Sequence, residues 1–306
     1  MRKTCLDTVY ELAKKDKKIV FIGSDLGPGV LDNFKKEMPE RFFMEGVSEQ
    51  AIIGLSAGLA MEGFKPYVNT IATFITRRCF EQVAIDLCLH NLPVRLIGNG
   101  GGLVYAPLGP THQAIEDISI MRTLPNMTIL APCDAIEMKA LVEESVNYKK
   151  PIYFRLAKGG DKIITSKNEK IKIGKGLLKV EPNEHLIIST GVMTQLAIEA
   201  SKKLQDEMKI RCGVIHIGTV KPLDKEILLK WIPKVKKIVT VEENVLSGGF
   251  GSSILEFTNE HFPENSKKIS RIGLTDNFIS KYGTQELLFK NNNLTVNNII
   301  KKIKDD

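Results

Sequence analysis

The chain has little cysteine, and what it has is scattered. Cys5, Cys79, Cys88, Cys133 and Cys212 show no Cys-x-x-Cys spacing, which argues against a disulfide framework and reads as reduced core residues of a cytoplasmic protein. No run approaches the ~20 apolar residues that a membrane span needs. The start, Met1-Arg2-Lys3-Thr4, opens into an amphipathic pattern without the apolar core of a signal peptide. Internal repeats and low-complexity tracts are missing, as is any aromatic-plus-basic RNA motif, so neither a solenoid nor a nucleic-acid module is indicated.

What is present suits two ordinary domains: 306 residues, 43% of them hydrophobic. The formal net charge of +7 comes from lysines at chain ends and helix surfaces, such as Lys14-Lys15-Asp16-Lys17-Lys18 and Lys301-Lys302. These read as solvated faces, although a positive balance also suits phosphorylated substrates. The alternation of apolar strands with helical periodicity predicts one doubly wound α/β unit over residues 1–160. A connection rich in Lys, Gly, Asn and Ser over 161–184 follows, then a second α/β unit over 185–306. Strands are expected at 19–23, 42–44, 66–70, 93–97, 127–130 and 152–155, and again at 185–191, 210–216, 238–242 and 268–273.

The most informative stretch is Phe42-Phe43-Met44-Glu45-Gly46-Val47-Ser48-Glu49-Gln50, continuing through Ala51, Gly54, Ala57 and Gly58. Ser48 reads as an N-cap that places Glu49 in the first turn of a nearly uncharged helix. Such a helix is expected to be buried. A carboxylate at that position is favoured by the helix dipole by roughly 0.3–1 kcal/mol with no chemistry involved. The small-residue stripe adds a second demand: glycine inside a helix costs roughly 1 kcal/mol against alanine, so something must approach closely. A carboxylate desolvated at such a junction is a candidate acid or base.

Gly46-Val47-Ser48-Glu49-Gln50, with Gly54 and the small-residue helix, resembles the cofactor-activating motif of the transketolase family, whose members depend on thiamine diphosphate. Gly109-Pro110-Thr111-His112-Gln113 resembles a second motif of that family. The resemblance implies a fold of two doubly wound domains, a pyrimidine-binding thiamine-enzyme domain followed by a transketolase C-terminal-like domain. It implies that Glu49 bonds N1′ of the cofactor's aminopyrimidine and that His112 moves protons at a substrate oxygen, a task suited to imidazole.

Further positions carry over singly. Asp25-Leu26 resembles a pair that packs on the thiazolium across a subunit interface, or a helix-capping aspartate. Phe74, or Ile75 as an aliphatic substitute, would stack on the pyrimidine, or either is core. Arg78 aligns with an arginine of deoxyxylulose-phosphate synthases. Arg2, Arg155 and Lys158 would hold a substrate phosphate. Two departures stand out, for Leu108 replaces the usual hydroxyl-binding aspartate and Gly100 replaces a histidine.

The family holds the cofactor's diphosphate through Mg²⁺ with a Gly-Asp-Gly motif, and none occurs here. Diphosphate needs a metal or helix N-termini to hold it. The resemblance therefore implies the pyrimidine-binding subunit of a split transketolase, paired with an N-terminal subunit carrying Mg²⁺ in an α2β2 assembly. The reaction would transfer a two-carbon ketol or related acyl unit from a ketose or 2-oxo acid to an aldehyde. The beta subunit of a 2-oxo acid dehydrogenase, a deoxyxylulose-phosphate-synthase-like enzyme and a non-catalytic scaffold subunit are the alternatives.

Overall fold

A computed structural model describes residues 1–24, 31–157, 159–166 and 168–305. In the first half, β1 (Ile19–Gly23), β2 (Phe42–Met44), β3 (Lys65–Ile71), β4 (Arg95–Asn99), β5 (Thr128–Leu130) and β6 (Ile152–Leu156) pair in parallel. β1, β4, β5 and β6 are buried along their whole length, as expected of strands covered on both faces by crossover helices. In the second half, β7 (Leu177–Val180), β8 (His185–Ser189), β9 (Cys212–His216), β10 (Thr219–Lys221), β11 (Lys237–Val245) and β12 (Ile269–Leu274) follow.

The halves are not sealed off from each other. The sheet orders are β10-β5-β6-β4-β3-β1-β2 and β12-β11-β8-β9-β7, so β10 leaves its own half and closes the edge of the first sheet, antiparallel to β5. The connection expected over 161–184 also carries structure, because β7 pairs antiparallel with β9 as the edge of the second sheet. β7 escaped the sequence reading because it lies in a stretch whose Lys, Gly, Asn and Ser content reads as a connection, and β10 because three residues ahead of Pro222 carry no apolar run or period of their own.

The Glu49 helix spans Glu49–Met61 and packs on the first sheet through Ile52, Ile53, Ala57 and Ala60. Its burial is one-sided, contrary to expectation. Ala51, Gly54, Leu55, Gly58 and Met61 face solvent. A methyl group built on Gly58 would meet nothing within 4 Å, and one on Gly54 would meet only Asp86 Oδ2 at 3.9 Å. The close neighbour that the small-residue stripe demands is therefore not supplied by this chain's described residues. All five cysteines are buried and unpaired. No helix among the described residues is long and apolar enough to cross a membrane.

Candidate active site

The carboxyl ends of β1 and β3 and the head of the Glu49 helix converge, the place where open α/β sheets collect ligands. Ser48 stands at the N-cap position, but its hydroxyl donates to Glu45 O at 2.7 Å instead of capping the helix. Glu49 is only 3% exposed. Its Oε1 lies 3.2 Å from Ser24 Oγ, which is in turn 2.6 Å from Thr70 Oγ1. Its Oε2 accepts a 2.6 Å bond from Arg78 Nη1, and the Arg78 side chain is 41% exposed. The pair is thus buried on the acid side and open on the base side.

Arg78 also lays its guanidinium over the Phe74 ring, with Cζ 4.2 Å from the centroid. Phe74 meets the His112 ring edge-on at 5.3 Å. Four of the sequence-predicted residues, Glu49, Arg78, Phe74 and His112, therefore form one continuous cluster. Ile75 does not join it. That side chain is wholly buried in the core beneath the first sheet, so of the two pyrimidine-stacking candidates only Phe74 reaches the cluster.

His112 is held by a tight turn in which its N–H donates to Gly109 O at 3.0 Å, and its Nδ1 lies 2.9 Å from Thr111 Oγ1. That contact leaves Nε2 as the ring nitrogen not engaged with Thr111. The turn itself is pinned by a residue the motif reading passed over. Arg77 donates to Pro110 O at 3.2 Å and Gln113 O at 2.8 Å while paired with Glu116. A planar guanidinium with five donors can bridge two carbonyls and a carboxylate at once, which lysine cannot do.

The two departures from the family pattern have structural counterparts. Gly100 has φ +76°, and a methyl group there would lie 2.2 Å from the Tyr105 ring, so Tyr105 occupies the space a side chain at position 100 would need. Leu108 is 49% exposed beside the His112 turn. Gly109, at φ +78°, is covered by the ring of Tyr282 from the second domain, with 2.7 Å from a built Cβ to the nearest ring carbon. Nothing in the local sequence announces this approach, because it joins residues far apart in the chain.

Arg155 is a residue the sequence reading sets at a substrate phosphate. Instead of facing a ligand it is buried, donating from Nε to Asp117 Oδ2 at 2.8 Å and from Nη2 to Glu243 O at 2.7 Å and Ala114 O at 3.3 Å. Burial alone would disfavour its charge, yet the carboxylates of Asp117 and Glu243 hold its pKa above the ordinary arginine range. The guanidinium joins β6 to β11, with Nη1 4.0 Å from Glu243 Oε2. Arg2 begins the first helix, Arg2–Lys15, and the neighbouring Met1 amino group lies 3.5 Å from Asp161. Asp25, Leu26 and Lys158 lie outside the described residues.

Two adjacent glutamates on β11 carry a pH signature. Burial pushes Glu243 up to about 7, opposed by Arg155 and by bonds from Leu103 N and Gln285 Nε2. Burial likewise raises Glu242 to about 8, against two backbone N–H donors at Phe250 and Gly251. With both folded-state values above the usual carboxyl range, the folded protein retains protons that the unfolded chain releases. Their contribution is full below about pH 4.5 and is lost as pH rises through 7 and 8. The melting temperature is expected to fall between pH 5 and pH 8.5 at constant ionic strength. Glu243→Gln should flatten part of that slope, and an unchanged slope would show that Glu243 does not carry it.

These features define a two-domain α/β protein with a buried carboxylate, an aromatic ring and a histidine gathered at the carboxyl edge of its first sheet. The family model described as the transketolase pyrimidine-binding domain matches residues 1–160, and that of the transketolase C-terminal domain matches residues 174–299. The chain belongs to the transketolase family. It is 38% identical over 295 residues to 1-deoxy-D-xylulose-5-phosphate synthase of Clostridium perfringens (strain SM101 / Type A), covering 96% of this chain and 47% of that protein. It is 39% identical over 275 residues to the synthase of Halothermothrix orenii, covering 89% and 43%. The chain thus spans about half the length of the curated relatives it matches. A split-gene transketolase solved as an inactive β4 tetramer is similar along nearly the whole length, with TM-score 0.90, 31% identity and coverage of 99% and 96%. The transketolase of Campylobacter jejuni shares the fold at TM-score 0.79 and 19% identity, over 96% of this chain and 45% of that one.

Proposed function

We propose that this chain is the pyrimidine-binding subunit of a split, thiamine-diphosphate-dependent transketolase-like transferase. A second, N-terminal-type chain would hold Mg²⁺ and the diphosphate. The observation that carries the reading is Glu49, buried to 3% exposure at the head of its helix and neutralised only on one side by a half-exposed arginine. An aminopyrimidine has a ring nitrogen that such a carboxylate can bond and a flat face that Phe74 can cover. Bound there, the cofactor would supply an acidic thiazolium carbon able to add to a carbonyl. Glu49 would hold the proton at the pyrimidine nitrogen. His112, with Nδ1 occupied by Thr111, would offer Nε2 to a substrate oxygen as proton donor or acceptor. Arg77 keeps that turn in place and Arg78 closes the site from the solvent side.

Docking of a second chain is supported by the exposed apolar surface next to the site. Val47 is 82% exposed, and Leu55, Met61, Ile85 and Leu89 are exposed around the small-residue face of the Glu49 helix. Exposed apolar side chains gathered on neighbouring elements mark candidate interfaces. The split-gene neighbour, described as an inactive β4 tetramer, supports both self-association and the need for a further chain. The assembly proposed is α2β2.

A deoxyxylulose-phosphate-synthase-like reaction is a second reading, favoured by Arg78, by the synthase relatives and by Leu108. An exposed leucine cannot bond the sugar hydroxyl that an aspartate would accept at that position. Titration calorimetry with thiamine diphosphate and Mg²⁺ tests the subunit proposal. Binding is expected with the two-chain complex recovered through a tag on this chain, and at least ~10²-fold weaker with this chain alone, since metal and diphosphate ligands carry much of such affinity. Equal binding by the chain alone, weakened by Glu49→Gln, would overturn it.

A further inference from the structure

Some lysines of this chain are neutralised by a neighbouring carboxylate: Lys3 by Asp7 at 2.6 Å, Lys14 by Glu11 at 2.5 Å, Lys175 by Glu226 at 2.7 Å and Lys179 by Glu169 at 2.8 Å. One cleft gathers lysines without such partners in a concave site. It occupies about 600 Å³ at the amino ends of β8, β11 and β12, and its lining includes His185, Lys237, Lys267, Lys268 and Lys304 with Ile210 and Ile303. Lys236, also in the lining, is paired with Glu184 at 2.5 Å. Among the described residues, no carboxylate lies within salt-bridge distance of Lys237, Lys267, Lys268 or Lys304. Lys237 and Lys268 are half-buried, and Lys268 Nζ reaches only a carbonyl, Val235 O, at 3.2 Å. Asp305 is the acidic side chain in the lining besides these pairs.

Gathering unpaired ammonium groups in a concave site raises the local potential, and low-dielectric walls focus it. Burial, reinforced by Lys237 and Lys236, holds His185 below its ordinary range despite the attraction of Glu184, so the imidazole adds a neutral donor and acceptor to the cationic rim. Ile303 is buried and Ile210 half-buried, giving the cleft an apolar wall beside its charges. The strands are parallel, so this end of the sheet is opposite to the end where Glu243 meets the first domain.

We infer that this cleft is an anion site for a small molecule carrying a diphosphate or triphosphate, separate from the candidate active site. Four ammonium groups match the charge of such a ligand, and the isoleucines can cover an apolar ring attached to it. The site belongs to the second domain alone and does not depend on a partner chain or on the proposed catalytic function.

The test is calorimetric titration of the full chain with inorganic pyrophosphate and, separately, with ADP, each against sodium sulfate at matched ionic strength. Saturable one-site binding of either diphosphate, absent with sulfate, is expected. Stronger binding of ADP would place a ring against the isoleucines, and equal binding would identify the diphosphate alone as the ligand. Lys267→Glu/Lys304→Glu, both exposed, should weaken binding at least about tenfold, each tenfold step being about 1.4 kcal/mol, with an unchanged melting temperature. Lys268→Gln provides a milder second variant. Glu49→Gln should leave the affinity as it was, which separates this site from the candidate active site. No heat beyond the sulfate control, or equal affinity in the Lys267/Lys304 double variant, would overturn the inference.

Discussion

Glu49→Gln in the assembled enzyme is expected to lower turnover by at least ~10²–10⁴-fold, the range typical of losing a positioned general acid or base. Glutamine keeps the volume and one hydrogen-bond acceptor, so helix packing through Ile52, Ile53, Ala57 and Ala60 should persist. What it removes is the negative charge that now meets Arg78 at 2.6 Å. Arg78 is partly exposed and can relax into solvent, so the melting temperature should move little. The comparison to make is steady-state turnover against thermal stability in the same preparation. A variant that keeps wild-type turnover would refute the role proposed for this carboxylate. One that loses turnover only because it unfolds would leave the buried acid as a structural element. Arg78→Lys adds a second reading of the same pair, because lysine retains charge but loses the planar face that covers Phe74 at 4.2 Å.

The largest stability effect is expected at Arg155. Replacing it by methionine leaves Asp117 and Glu243 buried without their cation, and breaking a buried pair on one side typically costs ~3–5 kcal/mol. For a protein of this size that corresponds to a melting shift on the order of 10 °C. Restoring balance with Arg155→Met/Asp117→Asn should recover part of the loss, since coupled neighbours are not additive. Denaturant unfolding of the single and double variants decides the matter. A loss under about 1 kcal/mol would remove Arg155 from the inter-domain bridge and return it to the candidate phosphate ligands.

The glutamate and the arginine show how differently two charged residues can be legible. Glu49 announced itself through its neighbours: an N-cap position before it, an uncharged helix after it and a glycine-alanine stripe along that helix. Each is a local property. Arg155 carried no such context. It stands at the end of a fully buried strand, and whether its guanidinium meets a ligand or Asp117 and Glu243 depends on two segments distant in sequence. The same holds for Tyr105 filling the space at Gly100, Tyr282 over Gly109 and Arg77 pinning the His112 turn. None of these pairs has a spacing that a pattern could report. Ile75 and Phe74 are adjacent and similarly apolar, and only the direction of their helix turns one into the core and the other toward His112.

By itself, the sequence determined the two α/β halves, most of the strands, the Glu49 helix and the two motifs that gather at the candidate site. Periodicity, capping and turn residues act within a few positions of each other and are written in order along the chain. Tertiary structure alone decided that β10 crosses to the first sheet, that the Glu49 helix keeps one face uncovered, and which cations are spent on buried carboxylates. Those outcomes turn on which surfaces are left to meet after local structure has formed. That is settled by burial and charge compensation between segments far apart in the chain, where spacing carries no information.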